Sequence, residues 1–319
     1  MPTDAPRVLG VVGPTASGKS DLALDLAEML GAHIVGADAS QLYRGMDIGT
    51  AKVPPGQRRG IPHHQIDVLD VTAEASVAAY QRSARADLDG ILASDRPAVL
   101  VGGSGLYVRA ALDVLEIPPT DPATRAALTE RAERESLTSL YAELSRLDPA
   151  AAAAIEPRNA RRVIRSLEVI ALTGRPFSAT LPTREFVRPT VVIGLRPPRE
   201  WLDHRIETRT RAMFDDGLVE ETRGLLDLGL RDGRTASRAV GYAQALAVID
   251  GVMRLEDAIA DTAMRTRRLV RRQESWFGSD PRISWFDPTT AGWREALDTH
   301  LRDALSGTGP ASGDNGAHG

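Results

Sequence analysis

Apolar and polar positions change period several times along the chain, and the changes divide it. Val8 to Val12 is a continuous apolar run too short for a helix. "SDLALDLAEML", just beyond the glycine-rich turn that follows, places apolar residues every three to four positions, so the chain opens as strand, loop and helix. "AHIVGADASQ" predicts a second buried strand ending at Asp38. "PAVLVGGSGLY" predicts a further one ending at Gly102 to Ser104, with a helical period from Ser76 to Ala93 between. Strands alternating with helices build a parallel sheet of the α/β class, whose ligands sit beyond the carboxyl ends of the strands. Lys19, Asp38 and Ser104 are expected to converge there.

After Leu115 the strand signal stops. "IPPTDP" is a breaker cluster, and from there to about Arg188 the residues are rich in Ala, Leu, Arg and Glu at helical spacing. The pattern predicts a core whose first part spans 1–116, an all-helical insertion over 117–188, and a second part over 189–305 that begins with the strand "TVVIGLRP". Helices are expected from Arg199, from Ala239, and from Leu255 to about Phe277. The Gly, Ser, Asp and Asn-rich residues 306–319 read as a disordered tail.

Composition narrows the class. A hydrophobic content of 42% fits a soluble globular protein, and no window approaches the roughly 18 uninterrupted apolar residues of a membrane span. Met1 to Arg7 lacks a basic region followed by an apolar one, so a cytoplasmic monomer with no membrane partner and no obligate protein partner is expected. The absence of cysteine excludes disulfides, thiolate nucleophiles and cysteine-held zinc, and the six His are scattered. Any metal is then expected to be Mg²⁺ held by oxygens.

"GPTASGKS" is the phosphate-loop pattern: Gly13, Pro14, Thr15, Ala16, Ser17, Gly18, Lys19 and Ser20 would wrap an anion in backbone N–H groups, with Lys19 adding charge and Ser20 reaching a Mg²⁺. The motif does not say what the phosphates are attached to. A small-molecule kinase would also need an acidic residue ending a strand, and Asp38 is placed for that, although a turn aspartate reads the same way. The loop "DASQLYRGMDIGTAK" gathers polar groups, two glycines and Lys52 directly after a strand, where function lies in this architecture. "GGSGLY" is either a second anion-approach loop or an ordinary turn with Ser104 as helix cap.

Net charge is −4, yet arginine is clustered. Arg158, Arg161, Arg162 and Arg165 share one helix face, and "RTRRLVRRQESWF" gives Arg265, Arg267, Arg268, Arg271 and Arg272 followed by Trp276 and Phe277. Such runs are solvated faces or RNA footprints; few acids interleave, which favours RNA. His63 and His64, adjacent and therefore facing opposite ways, read as loop structure, and Trp201, Trp285 and Trp293 as packing.

"GPTASGKS", "DASQLYRGMDIGTAK", "VGGSGLY", "RRVIRSLEV", "AVGYAQ" and "RRQESWF", in this order, resemble the tRNA dimethylallyltransferases, also called tRNA isopentenyltransferases, from about Val8 to Phe286. The resemblance implies transfer of a dimethylallyl group from its diphosphate to N6 of adenosine 37 in tRNAs reading codons that begin with U, with the phosphate loop holding the diphosphate as leaving group. It implies Asp38 as catalytic base, Ser104 and Lys19 beside the reacting centre, and Ser20 touching a diphosphate-bound Mg²⁺. It further implies tRNA contacts from Asp38, Ala39, Ser40, Gln41, Ser104, Arg125, Arg161, Arg162, Arg165, Arg238, Arg271 and Arg272, with the insertion closing over the anticodon stem-loop. Departures are Ala39 for Ser, Leu42 for Val, Ser104 for Thr, and Ala243 where a basic residue is common. No zinc-finger-like extension follows the core, which points to the bacterial type. The rivals are a phosphate-loop kinase and an adenylate isopentenyltransferase, neither of which uses the arginine clusters, and a phosphate-loop RNA-binding protein without chemistry, in which Asp38→Asn would leave function intact.

Overall fold

The computed structural model describes residues 6–180 and 184–306, so the tail expected beyond Ser306 lies outside the described residues. The chain divides into two compact units, one of Met1–Leu112 with Arg188–Gly319 and one of Asp113–Val187.

The first unit runs β1 (Val8–Val12), α1 (Lys19–Leu30), β2 (His33–Gly36), β3 (His63–His64), α2 (Val77–Ala93), β4 (Ala98–Gly102) and α3 (Gly105–Leu112) before the second unit interrupts it. The second holds α4 (Pro122–Glu135), α5 (Leu137–Leu147), α6 (Pro149–Ala154) and α7 (Ala160–Thr173). The first then resumes with β5 (Thr190–Leu195), α8 (Arg199–Asp215), α9 (Leu218–Leu226), α10 (Tyr242–Ile249), α11 (Leu255–Gly278), β6 (Ile283–Phe286) and α12 (Trp293–Leu305).

Six strands form one sheet in the order β3-β2-β4-β1-β5-β6, every pair parallel. All five residues of β1 are buried, as a central strand covered on both faces requires. Leu9, Val11, Ile34, Val99 and Ile193 pack with Leu22 and Leu26 of α1 and Leu297 and Leu301 of α12. Leu202 and Ile206 of α8 meet Ala263 and Val270 of α11. A separate core under α9 and α10 takes Tyr43 and Met46 from the loop after β2.

The strands differ from expectation at three points. His63 and His64 are not loop: they pair with Ile34 and Val35 as the edge strand β3, because the outer backbone groups of β2 need partners there. β6, four residues long, was not foreseen. The second strand stops at Gly36, two residues short of Asp38, since the Asp38 carboxylate accepts the Ser40 N–H at 2.9 Å and turns the chain outward.

The helical unit has its own core of Leu128, Leu140, Leu144, Val163 and Leu167. Its ends meet in an antiparallel bridge between Asp113 and Phe186, so it begins at Asp113 rather than at 117. Among the described residues no helix is long and apolar enough to cross a membrane.

Candidate active site at the carboxyl ends of the strands

Because the strands are parallel, the loops leaving β1, β2 and β4 emerge at one edge of the sheet. The first is the phosphate loop. Gly13 has φ +138°, and a Cβ there would stand 2.5 Å from the Leu195 carbonyl oxygen, so only glycine lets β1 turn beside β5. Ala16 and Gly18 also take positive φ, which rolls successive N–H groups toward a common point at the start of α1. The Lys19 ammonium donates to the Pro14 carbonyl at 2.6 Å. Burial lowers the Lys19 pKa from 10.5 to about 7, against the pull of Asp38 and with a further push from Arg209.

The loops after β2 and β4 interlock. The Ser104 N–H donates to the Ala37 carbonyl at 3.3 Å, and the Ala39 N–H donates to the Ser104 hydroxyl at 3.3 Å. That hydroxyl therefore holds the Asp38 loop, while α3 is entered through the Ser104 carbonyl, which accepts from Val108 at 3.0 Å. Gly102 is required: a Cβ on it would collide with the Ala37 carbonyl. Gln41 donates to the Thr50 carbonyl at 3.0 Å, and Lys52, buried, donates to Asp47 at 2.8 Å and to Asp67, closing the long loop on itself. Tyr80 and Tyr107 pack at 4.5 Å between ring centroids. Burial, with Tyr43 and Asp38 nearby, pushes the Tyr107 phenol up to about 12 and keeps it protonated.

Two residues that the sequence reading did not assign to the phosphate loop complete this edge. Arg209 of α8 donates to the Thr15 hydroxyl at 2.7 Å, and Gln273 of α11 accepts the Thr15 N–H at 2.9 Å. The available signal was periodicity: Gln273 falls in the buried stripe of Thr266, Val270 and Phe277, and a polar group there needs a polar partner.

The expected RNA-facing arginines differ in setting. Arg161 and Arg162, and likewise Arg238, Arg271 and Arg272, are exposed and make no ion pair among the described residues. Arg125 and Arg165 are committed: both donate to Glu168 at 2.8 Å, and Arg165 also donates to the carbonyls of Pro118 and Pro119. Burial alone would raise the Glu168 carboxyl, but the two guanidinium groups and the Asp121 N–H hold it below its ordinary value. Each of Trp201, Trp285 and Trp293 lies under a guanidinium, from Arg205, Arg196 and Arg294.

Among the described residues no three His, Cys, Asp or Glu side chains group to hold a metal. The residues fit a Mg²⁺ only as one carried largely by phosphate oxygens, beside the exposed Ser20 at the start of α1 and the Ser17 hydroxyl, which is buried and has no partner among the described residues.

A glycine-turned anion loop, a carboxylate and a hydroxyl drawn from three adjacent strands, with a helical unit inserted after α3, define a phosphate-loop α/β transferase. The IPP transferase family model matches residues 41–280, and the chain belongs to that family. It is 55% identical over 281 residues to the tRNA dimethylallyltransferase of Streptomyces coelicolor, covering 88% of this chain and 90% of that one. It is 56% identical over 292 residues to the tRNA dimethylallyltransferase of Mycolicibacterium paratuberculosis, covering 89% and 93%. Its fold matches the crystal structure of the full-length tRNA isopentenylpyrophosphate transferase from Bacillus halodurans at a TM-score of 0.70 and 36% identity, over 94% of this chain and 97% of that one.

Proposed function

We infer that the enzyme is a tRNA dimethylallyltransferase that moves a dimethylallyl group from dimethylallyl diphosphate to N6 of adenosine 37, beside the anticodon, releasing diphosphate. One observation carries the reading: a loop shaped for a phosphate chain, with its lysine half-buried, lies within electrostatic reach of Asp38, the carboxylate at the start of the neighbouring loop.

The roles follow from the chemistry. The N6 lone pair attacks the allylic carbon, the C–O bond breaks, and its electron pair leaves with the diphosphate. The phosphate-loop N–H groups and Lys19 stabilise the charge that develops there. N6 is a weak nucleophile because its lone pair is delocalised into the ring, so the N–H proton goes to the Asp38 carboxylate. Ser104 orients the reacting groups from the adjoining loop. Mg²⁺, when bound through the diphosphate near Ser20, supplies further charge neutralisation.

A stacked adenine cannot reach this edge of the sheet, so the base is flipped out of the anticodon loop. Ala39, Ser40 and Gln41 line the mouth, and Arg161, Arg162, Arg238, Arg271 and Arg272 supply cations for the phosphates of the anticodon stem-loop. The reading places the enzyme in the cytoplasm with tRNA.

The test is incubation with an unmodified anticodon stem-loop, Mg²⁺ and radiolabelled dimethylallyl diphosphate, with and without ATP. Label in the RNA without ATP, lost when the adenine beside the anticodon is replaced, is the expected outcome. ATP consumed with no label transferred would return the kinase reading.

A further inference from the structure

Gln273 sits between the arginines of α11 and the reacting loops, and it cannot touch RNA: it is only 7% exposed. Both ends of its carboxamide are used. Oε1 accepts the Thr15 N–H at 2.9 Å, and Nε2 donates to the Gly103 carbonyl at 3.0 Å. A backbone donor at one end and a backbone acceptor at the other admit only one orientation of the amide. Gly103 leaves the space this needs, since a Cβ there would collide with the Gln273 Nε2.

The two partners belong to different parts of the chemistry. Thr15 is in the phosphate loop; Gly103 directly precedes Ser104, whose hydroxyl holds the Ala39 N–H and with it the loop of Asp38. The pairing of β1 with β4 fixes the roots of these loops up to Val12 and Gly102, but no ladder bond reaches their tips. On the opposite side of Thr15, Arg209 fixes the hydroxyl.

We propose that Gln273 is a positioning residue for dimethylallyl transfer: its carboxamide sets the separation between the loop that holds the leaving group and the loops that carry Ser104 and Asp38. The inference rests on the function proposed above. The displacement needs the leaving oxygen, the allylic carbon and N6 aligned, and small errors in that alignment are costly in rate. A side chain that only filled space would lower stability without entering the rate of the bound complex.

The test is Gln273→Leu in the full chain, assayed by label transfer to the anticodon stem-loop, alongside Ser104→Ala and the double variant. The expected result is a kcat lower by about tenfold to a hundredfold with KM for RNA changed less than about twofold. The double variant is expected to be little slower than the slower single one, because the two substitutions damage the same alignment. An unchanged kcat at a temperature where the variant is folded overturns the proposal, as do effects that multiply in the double variant. Should Gln273→Leu fail to fold, Gln273→Glu keeps an acceptor for Thr15 and removes the donor to Gly103, and the same coupling with Ser104→Ala decides. A wild-type chain that transfers no label overturns the function itself; a wild type that transfers, with Gln273 variants equally fast, overturns the positioning role alone.

Discussion

The two arginine-rich helices, α7 and α11, look alike in sequence and are put to use differently. In α7 the exposed Arg161 and Arg162 occupy the first turn, while Arg165 turns inward with Arg125 to neutralise Glu168, which has no exposed surface. In α11 the order is reversed along the helix: Arg265 pairs with Asp261, and Arg267 with Asp203 and Glu207, leaving Arg268, Arg271 and Arg272 exposed with no ion pair among the described residues, the last two next to Gln273. Each helix thus spends one group of arginines on structure and presents the other. Only in α11 does the presented group adjoin a residue bonded to the phosphate loop. On the function proposed above, the difference makes chemistry and RNA binding separable, with the loops proposed for the first and the presented arginines of both helices for the second.

The largest effect that sharpens the separation is expected at Asp38. Asp38→Ala removes the proposed base and should lower the single-turnover rate by about 10²- to 10⁴-fold. RNA affinity, measured by filter binding, should be nearly unchanged. Loss of RNA binding, with normal chemistry on whatever still bound, would sink the base assignment.

Next in size is the structural half of α7. Glu168→Gln leaves two guanidinium groups without their carboxylate, and since Arg125 is about half exposed the cost is set near 3 kcal/mol, at the low end for a broken buried pair. The helical unit should melt earlier, which circular dichroism reads. The sign with pH is fixed by the direction of the shift. The folded carboxyl titrates below its ordinary value, so its stabilisation is complete above the ordinary Glu range and is lost as pH falls through the folded value. Wild type should show that acid loss and Glu168→Gln should lack it.

Smaller still is the effect of the presented arginines. Arg271→Ala with Arg272→Ala, and separately Arg161→Ala with Arg162→Ala, should each weaken RNA binding and flatten its salt dependence by about 0.7 to 0.9 in log–log slope per lost phosphate contact. Turnover at saturating RNA should survive in the α7 pair. A salt slope unchanged in both pairs would break the comparison, because these side chains would then be solvated surface.

What the sequence made legible was local. The phosphate loop declares itself by spacing, β1 by an unbroken apolar run, and α11 by a stripe of mostly apolar positions at helical spacing. What it concealed depended on neighbours. β3 and β6 are too short to carry a period, and they exist because the outer edges of β2 and β5 need partners. Counting acids near Arg165 missed its ion pair, since Glu168 lies one turn along the same helix but on the buried side. Arg209 and Gln273 stand in arginine-rich helices where a polar residue excites no notice, although Gln273 follows the buried spacing of its helix and Arg209 stands beside the buried Thr210. A polar residue in an apolar register is the sign that would have found Gln273.

The smallest effect tests the electrostatics of the loop itself. Burial places the pKa of Lys19 at about 7, so at about pH 8 the lysine is largely neutral until an anion arrives. Diphosphate favours the charged form, and binding should therefore draw in a fraction of a proton. Calorimetry in two buffers of different ionisation heat measures that fraction. Lys19→Arg stays charged at every pH used and should take up less, so subtracting it also removes the protons exchanged by diphosphate. The difference should shrink toward zero at about pH 6, where Lys19 is already protonated. Linkage gives the companion result for the ligand-free protein. The folded lysine binds its proton less tightly than the unfolded one, so stability rises with pH between about 7 and 10.5 and carries the full penalty below. Equal uptake in wild type and Lys19→Arg would mean that the lysine is already charged before the anion binds, the pull of Asp38 outweighing the burial.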